Sequence, residues 1–164
     1  WLRRSPDRLS AERGKVVSRR EYPDSPRVGV GAIVFHEGKV LLVLRGVEPN
    51  KDLWAIPGGS LKLGETLQAG AEREILEETG VVIRAGKPIL SFDSIRRDAA
   101  GRIRFHYVVI DMEAEYLSGE PRGADDAREA RWFSPEELAA VPVSPTTLQL
   151  LRTVGFAGPA ESKK

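Results

Sequence analysis

"PGGSLKLGETLQAGAEREILEETG", residues 57–80, is the stretch on which the reading of this chain turns. It starts with a glycine-rich turn and ends in a helix crowded with acid. From Thr66 to Thr79 most residues are good helix formers, and Gly80 is a natural stop just past the last turn. At a hundred degrees per residue, Glu74, Glu77 and Glu78 fall within one arc of that helix. Ala71 and Ile75 form an apolar edge beside the arc, so the acids sit near the packed side. Each like-charge neighbour pair costs about 0.2–0.5 kcal/mol. Acid in the last turn opposes the helix dipole by roughly 0.3–1 kcal/mol per charge. Arg73 is the one basic residue inside the helix. Local stability does not explain the cluster, whereas a divalent cation would, and hard oxygen ligands select Mg²⁺ or Mn²⁺. A solvated acidic face is the competing explanation.

The turn ahead of the helix weighs against that alternative. Pro57, Gly58 and Gly59 end a strand, and without Cβ atoms the backbone can approach a ligand closely. Carbonyls there can join a metal shell. The ligand such a place invites is a metal-bound phosphate, with one carboxylate left to activate water.

From Gly59 to Val81 the chain resembles the signature box of the Nudix hydrolases. The pattern is Gly, five residues, Glu, seven residues, Arg-Glu, an aliphatic residue, any residue, Glu-Glu, any residue, Gly and an aliphatic residue. Gly59, Glu65, Arg73, Glu74, Ile75, Glu77, Glu78, Gly80 and Val81 occupy every fixed position. The resemblance implies an α+β fold, an α/β/α sandwich around a central mixed sheet. It implies hydrolysis of a nucleoside diphosphate linked to another moiety. By position it makes Glu74, Glu77 and Glu78 metal ligands, with the Gly58 carbonyl beside them and Mg²⁺ or Mn²⁺ as cofactor. Arg73 and Glu65 would pair and orient the site. The water-activating group would be a box glutamate, Glu74 or Glu77, or an acid of the later loop "GEPRGADDAREARWF". In that loop Asp125 is the first choice and Glu129 the second.

Substrate contacts are expected from Arg45, at the end of a strand, and from Gly59. Trp54 could stack on a base, although a tryptophan leading a core strand into a loop is more often packing. His36 and His106 lack partners at metal-ligand spacing and are read as structural. The runs "GVGAIVF", "LWAIPGG" and "FHYVVIDM" resemble bacterial ADP-ribose pyrophosphatase-like members, whose products are AMP and ribose 5-phosphate. The proline and tyrosine markers of known substrate classes are missing from the Ile95 to Asp98 neighbourhood. A nucleoside triphosphate pyrophosphohydrolase is therefore the alternative enzyme, and a non-catalytic nucleotide sensor the alternative of another class.

Around the box, "VGVGAIVF" and "VLLVLR" read as strands joined by a turn at Gly38, and "LWAIP" as a third strand. "VVIRAGKPILSFDSI" reads as strand, turn, strand; "DAAGR" as a hairpin turn; "IRFHYVVIDMEAEY" as a long strand and "EARWF" as a short one. Ser134-Pro135 and Ser144-Pro145 each start a helix. Residues 1–26 read as an extension, with a short helix around Leu9 to Val17, and 27–157 as the catalytic domain. Residues 158–164 read as a tail. Trp1 in place of Met suggests processing or truncation.

The chain has 164 residues, 41% of them hydrophobic, with 25 basic and 24 acidic side chains. That near-balance gives no general pull toward nucleic acid. No cysteine is present, which excludes disulfides, thiolate zinc sites and a cysteine nucleophile. No apolar run suits a membrane span. The expected setting is the cytoplasm, with a small nucleotide as partner and room for a homodimer.

Overall fold

The structure is a computed structural model and describes residues 20–157. The helix expected near Leu9 to Val17 lies outside the described residues. Strand β1 (Arg27–His36) carries two kinds of side chain on its two faces. Val30, Ala32 and Val34 point to one side, where they meet Ala71 and Ile75 of α1 (Leu67–Thr79). Ile33 points to the other, where Leu42 of β2 (Lys39–Arg45) and Phe133 of β7 (Ala127–Phe133) meet two further helices. Those are α2 (Pro135–Leu138) and α3 (Pro145–Thr153), which contribute Leu138, Leu150 and Leu151. Two cores, one on each face of the sheet, make the α/β/α sandwich.

The sheet runs β3 (Trp54–Ala55), β2, β1, β6 (Ile103–Ser118), β5 (Val82–Arg97), with β4 (Gly58–Ser60) on β1 and β7 on β2. β1 and β6 are parallel, with Gly31 level with Asp111, and the other pairings are antiparallel, so the sheet is mixed.

Thr66 caps α1 by accepting from the Ala69 amide, and Gly80 closes it at φ 73 with its N–H on the Leu76 carbonyl. Ser134 and Ser144 cap the two later helices, each with Pro at the first position. Two expectations need correction. The stretch from Val82 to Arg97 is one sixteen-residue strand, not strand, turn, strand. Gly86 and Pro88 are absorbed as irregularities in its register against β6, because a bulge removes the need for a proline N–H in the ladder. The "GGS" segment, read as a turn, is itself a strand, with Gly58 level with Gly31 and Gly59 level with Val30. Among the described residues, no helix is long and apolar enough to cross a membrane.

Candidate active site

Arg73 is the hub of the acidic helix. Its Nε and Nη2 donate to the two oxygens of Glu65, at 2.5 and 2.9 Å. Nη2 also donates to the Ser60 carbonyl at 3.0 Å, and Nη1 to Glu74 at 2.8 Å and Glu77 at 3.2 Å. Only a planar guanidinium can serve this many acceptors at once. The Arg73 guanidinium and the Lys62 amide hold the Glu65 carboxyl down at about 2. The Arg73–Glu65 pair ties the helix start to the β4 strand, and the charge of Glu74 and Glu77 is shared with the same cation.

Glu78 is different. It is only 4% exposed and takes a hydrogen bond from the Gly58 amide at 3.0 Å. Burial, with Glu74 and Asp126 adding negative charge nearby, pushes its carboxyl up to about 7. Gly59 explains why Glu74 can lie against the strand. A methyl group built there would sit 2.3 Å from Glu74 Oε2.

The cleft begins at this edge. Gly58, Gly59 and Glu78 form one end, and Arg45 and Asp126 stand beside them. The floor runs across the sheet over Gly29 and Gly31 to Val109 and Asp111, with Phe92 and Tyr107 beyond. Arg45 is held in place by a bond from Nε to the Pro49 carbonyl at 2.8 Å. Arg96, at the far rim, donates to Asn50. Ser144, Thr146 and Thr147, at the start of α3, close the remaining side.

The expected substrate contacts therefore separate. Arg45 and Gly59 line the cleft, but Trp54 does not. Trp54 is 5% exposed, its ring packs edge-on to Phe133 with 4.6 Å between centroids, and its backbone fixes the start of α3 through Pro142 and Ser144. Packing claims this tryptophan, as strands leading into a core generally do. In the later loop the structure brings Asp126, not Asp125, to the cleft. Asp125 is exposed and has φ 52. Glu129 is also exposed, paired across from Leu44. The loop is tied down rather than free. The Arg122 and Ala124 amides donate to the Thr79 and Glu78 carbonyls at the end of α1, and the Gly46 amide donates to the Asp126 carbonyl. Those bonds satisfy helix-end carbonyls that would otherwise be orphaned. His36 stacks on Tyr116 at 4.0 Å, away from the cleft.

Sequence reasoning missed several lining residues, Asp111, Tyr107 and Arg20 among them. Asp111 sits inside a run that reads as plain strand. Tyr107 sits in the same run. Arg20 lay in a segment read as an extension, yet it pairs with Asp126 and lines the cleft. Glu21 pairs with Arg104, and Tyr22 donates to Asp98, which pins this segment to the β5–β6 hairpin.

Among the described residues no group of three His, Asp or Glu side chains is gathered closely enough to hold a metal ion as it stands. Glu74 and Glu77 turn to Arg73, and Glu78 turns to Gly58. The donor chemistry nevertheless fits a hard divalent cation. All the donors are oxygens, Glu78 is buried with a carboxyl that burial strains, and Gly59 leaves room at the Glu74 carboxylate.

The NUDIX domain family model matches residues 25–154. The chain is 34% identical over 113 residues to an ADP-ribose pyrophosphatase of Methanocaldococcus jannaschii, a match that takes in 69% of this chain and 64% of that protein. The chain thus spans less than two thirds of that relative. A MutT NUDIX hydrolase from Burkholderia pseudomallei superposes with a TM-score of 0.68 at 34% identity, covering 80% of this chain and 99% of that one. A bifunctional NMN adenylyltransferase/ADP ribose pyrophosphatase from Francisella tularensis, complexed with AMP and Mn ion, superposes with a TM-score of 0.56 at 26% identity, over 79% of this chain and 41% of that one.

Proposed function

The chain belongs to the Nudix hydrolase family, and from that premise we propose that it hydrolyses ADP-ribose to AMP and ribose 5-phosphate with Mg²⁺ or Mn²⁺. The observation that carries this reading is the double membership of Glu78. It belongs to the acidic helix and to the cleft wall, so the cation-seeking carboxylates and the substrate space meet at one side chain. The name of the Methanocaldococcus relative supports the substrate, and the Mn ion in the Francisella structure supports the metal.

Glu74, Glu77 and Glu78 would hold the cation, with the Gly58 carbonyl beside them. A divalent ion held there would neutralise diphosphate charge and lower the pKa of a bound water. The chain's own residues do the rest. Arg45 and Arg20 place positive charge at the cleft for the diphosphate. Arg73 and Glu65 fix the helix against β4. Water attacks phosphorus, a new P–O bond forms, the anhydride P–O bond breaks and the phosphate leaves in line. Glu77 takes the water's proton: it is the least tied of the box acids, held to Arg73 by one 3.2 Å contact and half exposed. Asp126 lies at the same edge, paired with Arg20, and takes the part the sequence suggested for Asp125. The same reading expects a cytoplasmic enzyme.

Nucleoside triphosphate hydrolysis with release of pyrophosphate is the second reading, favoured by the missing proline and tyrosine markers around Ile95 to Asp98. A panel of ADP-ribose and nucleoside triphosphates, assayed with Mg²⁺, with Mn²⁺ and with chelator, separates the two. AMP and ribose 5-phosphate from ADP-ribose, lost with chelator, support the first. Nucleoside monophosphate and pyrophosphate without ADP-ribose turnover support the second. Binding of ADP-ribose with no turnover of either supports the sensor alternative.

A further inference from the structure

Asp111 is a buried acid that the fold does not need. It is 4% exposed, and no hydrogen bond or ion pair from a described residue reaches its carboxylate. Burying a carboxylate without a partner costs several kcal/mol. Its neighbours on the same face of β6 are Val109 and Tyr107, and an apolar residue would pack there at no such cost. Among the described residues no side-chain oxygen is both sealed from solvent and unbonded, so the Asp111 oxygens open onto the cleft they line.

Gly31 keeps that opening clear. It is level with Asp111 on one side and with Gly58 on the other. A methyl group at Gly31 would sit 2.8 Å from Asp111 Oδ1 and 3.1 Å from the Pro57 carbonyl. The Asp111 side chain thus leans back over Gly31, toward the end of the cleft where Gly58 meets Glu78. Adjacent strands lie about 4.8 Å apart, so the carboxylate stands roughly one strand spacing from the Gly58 backbone. If the diphosphate lies at Gly58 and Glu78, the sugar bonded directly to a phosphate spans that distance. A base attached to that sugar would fall beyond it, toward the half-buried rings of Phe92 and Tyr107.

We propose that Asp111 is a specificity residue that accepts hydrogen bonds from the vicinal hydroxyl pair of the pentose joined to the diphosphate. Two carboxylate oxygens match two O–H donors, and in the ionised form the charge strengthens both bonds. The inference rests on the reading that the cleft takes a nucleoside diphosphate derivative. It adds that the enzyme selects ribosyl over deoxyribosyl substrates, and that the selection resides on β6 rather than in the box.

The test uses ADP-ribose and two analogues. One lacks the 2′,3′-hydroxyl pair on the adenosine ribose, the other the corresponding pair on the terminal ribose. Hydrolysis is measured with Mg²⁺, and affinity by calorimetry with Ca²⁺, for the parent, Asp111→Leu and Asp111→Asn. The parent should lose roughly 10–100-fold toward one analogue, as expected when a buried polar group loses its partner. Asp111→Leu should treat that analogue and ADP-ribose alike, and Asp111→Asn, keeping one acceptor, should fall between. Equal losses toward all three ligands, or undiminished discrimination in Asp111→Leu, overturn the proposal. Hydroxyl-dependent binding without hydrolysis would sink the proposed reaction and leave Asp111's role standing. No binding of ADP-ribose at all would sink both. Should Asp111→Leu fail to fold, the intermediate discrimination of Asp111→Asn decides.

Discussion

Glu74 rests its carboxylate where the side chain of residue 59 would be: a methyl group on Gly59 would sit 2.3 Å from Oε2 and 2.6 Å from Oε1. The glycine is there for the glutamate. Gly59→Ala should therefore act through Glu74. The atoms in the way are the end of a flexible side chain, so the fold yields, at a cost of about 1 kcal/mol. The carboxylate proposed to hold the cation is what moves. kcat should fall on the order of 10²-fold, the scale of a lost acid–base or metal-holding group. Steady-state kinetics and a thermal melt check this, and an unchanged kcat would break the link between the two residues.

Glu77→Gln and Glu78→Gln should each lower kcat by about 10²–10⁴-fold. The metal-free variants should stay folded, because neither loses a bond the core depends on. Glu78→Gln carries a further signature. The parent's Glu78 carboxyl is pushed up to about 7 by burial, then by Glu74 and Asp126. A cation must displace that proton, so Mg²⁺ or Mn²⁺ binding should release protons near pH 6.5 and tighten between pH 6 and 8. Calorimetry in buffers of different ionisation heat measures the release. Glu78→Gln should lose most of it, and undiminished release would place the proton elsewhere.

Asp111 predicts a stability trend of definite sign. Burial raises its carboxyl from 3.8 to about 7. The folded state therefore binds the proton more tightly than the unfolded state. This favours folding fully below pH 4, and the advantage is lost as pH rises from about 4 to about 7. Asp111→Asn removes that loss. Its stability relative to the parent should rise between pH 4.5 and pH 8, by at most about 4 kcal/mol. Urea unfolding at the two pH values reads the difference. A constant difference would mean that Asp111 is not strained by burial.

Much of this was legible before the structure, for physical reasons. The helix and its ends could be read because Thr66 and Gly80 cap it by local chemistry that sequence spacing exposes. The Arg73–Glu65 pair could be anticipated because the box fixes their spacing. The strand from Val82 to Arg97 could not, since a bulge hides Gly86 and Pro88 inside a sheet where sequence suggests a turn. Asp125 and Asp126 are adjacent, and which one faces the cleft depends on a backbone twist at φ 52 that only the fold sets. Asp111 was invisible because a buried acid in a strand has no pattern. Its meaning comes from Gly31, eighty residues earlier in the chain and level with it in the sheet.

Arg20 comes from outside the region expected to be catalytic, yet it pairs with Asp126 and lines the cleft. Arg20→Ala should raise KM roughly tenfold with a smaller effect on kcat, as the loss of a contact made equally to substrate and transition state. Glu21→Ala, which loosens the same segment through Arg104, should shift KM in the same direction and by less. A fall in KM with Arg20→Ala would instead make Arg20 an obstacle to substrate.

The central claim is attack of water on phosphorus at the edge where Glu78 meets Gly58. Hydrolysis of ADP-ribose in ¹⁸O-labelled water with Mg²⁺, with both products weighed, tests it most directly. The account predicts one label in the phosphate of AMP or of ribose 5-phosphate, and no product when chelator is present. Free ADP and ribose, with label on the ribose C5 hydroxyl, would mean that water attacks carbon and breaks the sugar–phosphate ester, and would contradict it.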